Sequence, residues 1–287
     1  MTTTSSARSY LFVPGDRPER FAKALASGAD RVIIDLEDAV LPERKDAARS
    51  AIAEWARSDA AGATPSGVIV RINGADTPWF ADDLAAIASL PADRAAPVVR
   101  GVMLPKADNP DPIAAVRTAL PAGMETLIAL VETVAGVIRL REVASAPGLT
   151  RIAFGSVDLC VDAGILGDGE ELHYIRSRLV LESRFAGLAP PIDGVSLALD
   201  DADALAKDVL RARRFGFGAK LCIHPKQVAS VNAGFSPSEE EIAWAHRVVA
   251  AIETGGGRGA VAVDGKLVDK PVVDRAYAIL AGRGSSQ

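Results

Sequence analysis

Three carboxylates in four positions, Asp35, Glu37 and Asp38, follow the apolar start of "RVIIDLEDAV", residues 31 to 40. Val32, Ile33 and Ile34 read as a buried strand, so the acid stands at the strand's far end. Polar groups recur at the ends of other apolar runs: Pro14-Gly15-Asp16-Arg17, Arg71-Ile72-Asn73, Pro105-Lys106, Glu132, Ser156 with Asp158, Asp193 and His224-Pro225-Lys226. Carboxylates packed together repel, and some must take up protons unless a cation joins them. Mg²⁺ suits this set, because it takes oxygen ligands and is held by one or two carboxylates plus water and substrate oxygens. Glu132 and Asp158, read as the ends of strands five and six, are the expected direct ligands. Glu37 and Asp38 could hold metal-bound water. An ion pair or a helix cap is the alternative for each acid. Clustered cysteine or histidine ligands are missing, which speaks against zinc.

The cations divide in the same way. Arg71 could grip a substrate carboxylate with two hydrogen bonds or pair with the nearby acids, and the two roles are compatible. Lys106 reads as a neutralising charge. His224 reads as a structural hydrogen-bonding residue, and His173 and His246 fall on helical segments. Cys160 and Cys222 lie in apolar segments without disulfide or zinc spacing and read as inert thiols. "FGFGAK" precedes a strand instead of following one, so it is not a nucleotide loop. No P-loop or G-x-S-x-G elbow occurs.

The elements that position these residues are eight short apolar runs, starting at Ser9, Arg31, Gly67, Gly101, Thr126, Arg151, Ile192 and Gly218. They lack polar alternation, as parallel strands buried on both faces do. Between them, Arg44–Arg57, Pro78–Leu90, Thr133–Ala146, Glu171–Gly187 and Ala202–Phe215 carry apolar residues at helical spacing. Eight strand–helix alternations predict an α/β fold, a (β/α)8 TIM barrel, whose active site lies at the C-terminal ends of the strands. The barrel is expected over residues 1–253. "SPSEEEIAWAHRVVAAIE" offers Ser236 or Ser238 as a helix cap. "TGGGRG" reads as a linker, and the remainder, to residue 287, as a hairpin followed by a helical arm that packs on its own barrel or on a neighbour.

With 287 residues, 49% hydrophobic and 24% charged, the chain has ample material for one large domain. A net charge of -5 argues against nucleic acid as the main partner. No run reaches the roughly 18 apolar residues of a membrane helix, and "MTTTSSARSY" has no signal-like apolar core. A cytoplasmic location is expected.

"SYLFVPGDRPERFAKALASGADRVIIDLEDAV" resembles the opening of the citrate lyase β-subunit-like proteins of the HpcH/HpaI aldolase and citrate lyase superfamily. "VRING", "GVMLPKA", "LIALVETVAGV", "AFGSVDL", "GFGAKLCIHPKQV" and "DGKLVDKPVVDRA" extend the likeness over nearly the whole chain. The resemblance implies a Mg²⁺-dependent lyase acting on a coenzyme A thioester of the malyl-, citramalyl- or citryl-CoA type, or running the reverse condensation. It implies Glu132 and Asp158 as metal ligands, Arg71 as the substrate-carboxylate arginine and Asp269 as a catalytic acid on an arm reaching an adjacent subunit of a homotrimer or hexamer. It also implies CoA contacts at Pro14, Gly15, Arg17, Lys45 and the Ile223–Pro225 turn, including His224. Val157 departs from the pattern, since many members carry an acid there. Substrate choice within the family, a CoA-independent class II aldolase, and synthase or thioesterase outcomes on the same site stay open.

Overall fold

Strands rich in Val and Ile are stiff at χ1 and apolar on both faces, which suits a parallel sheet covered by helices. A computed structural model describes residues 7–58, 67–91, 98–254 and 261–283. Eight parallel strands close into a barrel in chain order: β1 (Ser9–Pro14), β2 (Arg31–Asp35), β3 (Val68–Arg71), β4 (Val99–Leu104), β5 (Thr126–Val131), β6 (Arg151–Phe154), β7 (Ile192–Asp193) and β8 (Ala219–Cys222). Pairing of Tyr10 with Leu221 and Leu11 with Cys222 closes the ring. This is the expected (β/α)8 barrel. Its described helices are α1 (Phe21–Leu25), α2 (Lys45–Arg57), α3 (Phe80–Ala88), α4 (Pro110–Ala119), α5 (Val134–Ile138), α6 (Leu140–Ala144), α7 (Ser156–Ala163), α8 (His173–Phe185), α9 (Ala202–Phe215) and α10 (Pro225–Phe235).

The inward side chains form one cluster that includes Ile33, Ile69, Met103, Leu130 and Ala153. Strand side chains alternate with period two, so the next inward positions are Asp35, Arg71, Glu132 and Gly155. The pleat that buries the core therefore also delivers the polar residues to the mouth. At the opposite end Arg151 is buried, donating to the carbonyls of Pro190 and Ala7 and to the Tyr10 hydroxyl.

Two elements differ from their sequence reading. The segment Thr133–Ala146 is not one helix: it divides into α5 and α6 at Arg139, whose ψ of 18° leaves the helical range. Asp158 does not end a strand. β6 stops at Phe154, and Asp158 lies in the first turn of α7, where the helix dipole favours an acid.

By its internal contacts the chain divides between Asn232 and Ala233, earlier than the expected boundary at 253. The reason is the helix α11 (Glu239–Thr254), which buries Ala245 and Val248 in a small core with Val263, Val268 and Ala276 of the C-terminal unit. Of the two candidate caps, Ser238 is the one used. Its hydroxyl accepts from the amide of Glu241, whose carboxylate accepts from the Ser238 amide, a capping box. β9 (Val261–Val263) and β10 (Lys266–Val268) form an antiparallel hairpin, followed by α12 (Lys270–Arg283). The Asp264-Gly265 turn has φ of 51° and 75°, the pattern Asp-Gly serves in tight hairpins. Most of the expected glycine linker, residues 255–260, lies outside the described residues. Among the described residues no helix is long and apolar enough to cross a membrane.

Candidate active site at the barrel mouth

Asp35 and Arg71 are register partners on β2 and β3, so both side chains point to the axis at one level. Arg71 grips Asp35 with two hydrogen bonds, Nε to Oδ1 at 2.7 Å and Nη2 to Oδ2 at 2.6 Å. Asp35 also accepts from the amides of Glu37 and Ala39. The remaining terminal nitrogen, Nη1, lies 2.8 Å from Glu37 Oε2 and 3.5 Å from Asp38 Oδ2. Glu37 Oε2 is buried and stands off the direction of any N–H, so that contact is coulombic and not a hydrogen bond. Arg71 thus meets its acidic neighbours in the structure, as one of its two sequence readings anticipated.

Lys45 behaves differently from its expected role. Its buried ammonium donates to the carbonyls of Leu36 and Glu37 and to Asn73 Oδ1, at 2.6, 2.8 and 2.7 Å. An ammonium has three donors, and all are used here, which leaves none for a CoA phosphate. Lys45 clamps the loop after β2. Asn73 is held in turn by fully buried Asp83, which accepts from its amide and side chain and pairs with Arg49. Asn73 as a clamp partner and Asp83 were not singled out from the sequence; their signal was only polarity at a strand end and on a helix.

Across the mouth, Glu132 follows β5 directly and is buried. Its Oε1 accepts from the amide of Lys106 at 2.9 Å. Lys106 adopts a φ of 47°, a left-handed conformation unusual for a residue with a Cβ, and this turns its amide toward Glu132. Gly155 makes room on the other side: a Cβ there would lie 2.4 Å from Glu132 Cβ and 2.6 Å from its Oε2. Among the described residues no lysine or arginine forms an ion pair with Glu132 or Asp158.

The electrostatics follow from that imbalance. Burial pushes Glu132 up to about 7, with Asp158 and Asp38 adding to the rise while the Lys106 amide and Arg71 oppose it. Burial likewise pushes Glu37 up to about 8, against the pull of Arg71 and with help from Glu132, Asp38 and Asp35. Five carboxylates and one guanidinium therefore share one field. A hard dication fits the acid-rich side. Two carboxylates on neighbouring elements, one anchored by an amide, match the sparse protein ligation of Mg²⁺. Among the described residues no three His, Cys, Asp or Glu side chains gather into a cage, so a site held by protein ligands alone is not built here.

The other expected contacts are dispersed around the rim. Pro14 ends β1, the buried Gly15 donates its amide to the Asp35 carbonyl, and Arg17 is exposed beside Glu19. At the β8 turn, buried Gln227 accepts from the amides of Ile223 and His224 and donates to the Ser196 carbonyl. His224 Nδ1 accepts from the Lys226 amide, a structural role, and Pro225 starts α10. Asp269 belongs to the C-terminal unit, is exposed, and accepts from the Val272 amide at the start of α12. Cys222 is fully buried and Cys160 half-buried, both as free thiols.

Known proteins resemble this chain in sequence and in fold. Residues 8–225 match the HpcH/HpaI aldolase/citrate lyase family. A citrate lyase subunit beta-like protein of Mycobacterium tuberculosis (strain ATCC 25618 / H37Rv) is 36% identical over 297 residues, covering 100% of both chains. A (3S)-malyl-CoA thioesterase of Cereibacter sphaeroides (strain ATCC 17025 / ATH 2.4.3) is 35% identical over 266 residues, covering 91% of this chain and 89% of that one. Among solved structures, the CitE protein of M. tuberculosis in complex with magnesium, acetoacetate and coenzyme A superposes with a TM-score of 0.81 at 34% identity, covering 98% of this chain and 99% of that one. The chain belongs to the HpcH/HpaI aldolase/citrate lyase family, and within it to the citrate lyase β-subunit-like proteins.

Proposed function

We propose that this protein is a Mg²⁺-dependent lyase that breaks or makes the carbon–carbon bond between a 2-keto acid and the acyl α-carbon of a coenzyme A thioester. Glu132 and Asp158 are the residues that would hold the ion, with Glu37 and Asp38 ordering water beside it. When bound, the ion supplies Lewis-acid polarisation of the keto oxygen. Asp35 aims Arg71, whose Nη1 exchanges its carboxylate neighbours for the carboxylate of the keto acid. Glu37, raised to about 8, accepts the hydroxyl proton during cleavage and returns it during condensation. Asp269 exchanges the proton at the acyl α-carbon. Pro14, Gly15, Arg17 and the His224–Pro225 turn hold the CoA chain, and the working assembly is a homotrimer or hexamer of the chain.

The observation that carries this reading is Glu132: a buried carboxylate, anchored by one amide from a left-handed residue, coupled to Asp158 and, among the described residues, without an ion-pair partner. The magnesium and coenzyme A in the CitE complex support it. The malyl-CoA thioesterases among the relatives favour a second reading, hydrolysis of the thioester on the same site.

Acetyl-CoA, a 2-keto acid and Mg²⁺ should give the condensed thioester by mass spectrometry, and chelation should stop it. Free thiol released without carbon–carbon chemistry would instead support the thioesterase. Products from free acids alone would leave a CoA-independent aldolase. Asp269→Asn should slow turnover about a hundredfold with Mg²⁺ affinity unchanged, read by kinetics and calorimetry. A change in oligomer mass alone would make Asp269 structural.

A further inference from the structure

Beside the mouth, between α7 and the loop after β7, lies a cleft of about 400 Å³. Its wall is mainly hydrocarbon, from Val157 and Val161 on α7, Ile165 and Leu166 beyond it, and Val195 and Leu197 after β7. The cleft begins at Ser156, next to Gly155, whose backbone packs on the Glu132 carboxylate. Its inner end reaches the barrel axis, because Val195 also packs on the inward core cluster. Ser156 is 98% buried at this end, and its hydroxyl has no hydrogen-bond partner among the described residues.

The charges beside the cleft are balanced within it. Among the described residues no lysine, arginine or histidine lines it, and two acids do, Asp168 and Asp208. Both acids are already held, Asp168 by Arg176 and Arg211, and Asp208 by Arg211 and the Ser196 hydroxyl. A carboxylate entering here would give up hydration with no lining cation among the described residues to replace it, since Arg176 and Arg211 are engaged by the two acids. A hydrocarbon group would lose only water contact.

Resting on the proposed lyase reading, we infer that this cleft is the pocket for the keto acid's side group and that it selects a hydrocarbon branch of several carbons over a carboxymethyl group. Val157, flanking Asp158, forms the neck of the pocket, and Ser156 offers its hydroxyl at the base of the branch. Glyoxylate leaves the cleft empty, pyruvate fills little of it, and oxaloacetate is the acid it rejects.

The test pairs turnover with a binding readout. In the condensation with acetyl-CoA and Mg²⁺, kcat/KM should rise about twofold per methylene from pyruvate through 2-oxobutanoate to 2-oxopentanoate, short of full burial because Val161, Leu166 and Leu197 leave the outer wall open. Oxaloacetate should fall below pyruvate, and Leu197→Asp should flatten the alkyl series. Independently, Cys160 lines the cleft whereas Cys222 is fully buried, so iodoacetamide labelling of Cys160, read by mass spectrometry, reports occupancy. With Mg²⁺ present and at ten times its dissociation constant, 2-oxopentanoate should slow that labelling about tenfold. A flat series, preference for oxaloacetate, or equal protection by oxaloacetate overturns the pocket. Protection that grows with protein concentration and without any acid also overturns it, since a second copy of the chain would then cover this face. Cys160 protection by 2-oxopentanoate without condensation retains the pocket and removes the lyase reading. Loss of both signals removes both.

Discussion

The two flanks of the barrel mouth use the same residue types and reach opposite electrostatic states. On the β2–β3 flank the strand and clamp charges have their partners: Asp35 meets Arg71 and two amides, and Lys45 meets three acceptors, while Glu37 in the loop after β2 keeps its buried Oε2 outside any hydrogen bond among the described residues. On the β5–β6 flank Glu132 is as deeply buried yet receives one amide, and Asp158 in the first turn of α7 receives no cation among the described residues. Strand register accounts for the first state, because it sets Asp35 opposite Arg71. The second state raises the carboxylate's affinity for protons, and such uncompensated burial is concentrated at functional sites. The Asp35–Arg71–Lys45 frame is a finished scaffold, whereas Glu132, Asp158 and Glu37 carry the uncompensated charge on which the proposed metal site rests.

The contrast can be broken most severely at its open end. Glu132→Ala should remove Mg²⁺-dependent turnover by at least about a thousandfold, while thermal unfolding stays unchanged or shifts upward as a desolvated carboxylate disappears. Retained turnover would sink the division between the flanks. Asp35→Ala tests the closed end. It leaves Arg71 buried without its bidentate partner and should cost about 3–5 kcal/mol of stability in urea unfolding. A loss below about 1 kcal/mol would mean that the pairing there is incidental.

A pH series sharpens the comparison. In the ion-free protein the folded-state pKa of Glu132, about 7, lies above its ordinary 4.5. The folded state then binds more protons than the unfolded state between those values, so stability should fall as pH rises through that window. Mg²⁺ requires the ionised form, so its affinity should rise with pH until about 7 and then level, with proton release visible in calorimetry across buffers. Glu132→Gln should abolish the Mg²⁺ trend and shrink the stability trend to the part that Glu37, pushed up to about 8, contributes. The smallest effect is expected from Lys106→Gly. Glycine accepts the left-handed φ of 47°, so the amide stays on Glu132 and stability should shift by no more than about 1 kcal/mol. A large loss of Mg²⁺ affinity in that variant would show that the Lys106 side chain, and not its backbone, serves the site.

Much of this molecule is legible in one dimension. Apolar runs at strand length and their acidic ends announce the barrel and its mouth, since burial and the two-residue pleat act locally along the chain. The Ser238 capping box and the Asp264-Gly265 hairpin are equally local devices. Other features depend on residues far apart in sequence. Lys45 turns inward because Asn73, 28 positions away, completes its three acceptors. Gln227 matters because the Ser196 carbonyl reaches it. The α11 helix joins the C-terminal unit because its apolar face packs with the hairpin and α12 that follow it. Periodicity and residue type thus determined the fold, the polar mouth and the identity of its acids. Only the tertiary structure decided which charges are neutralised, because pairing depends on distances of a few ångströms between elements that the order of residues does not encode.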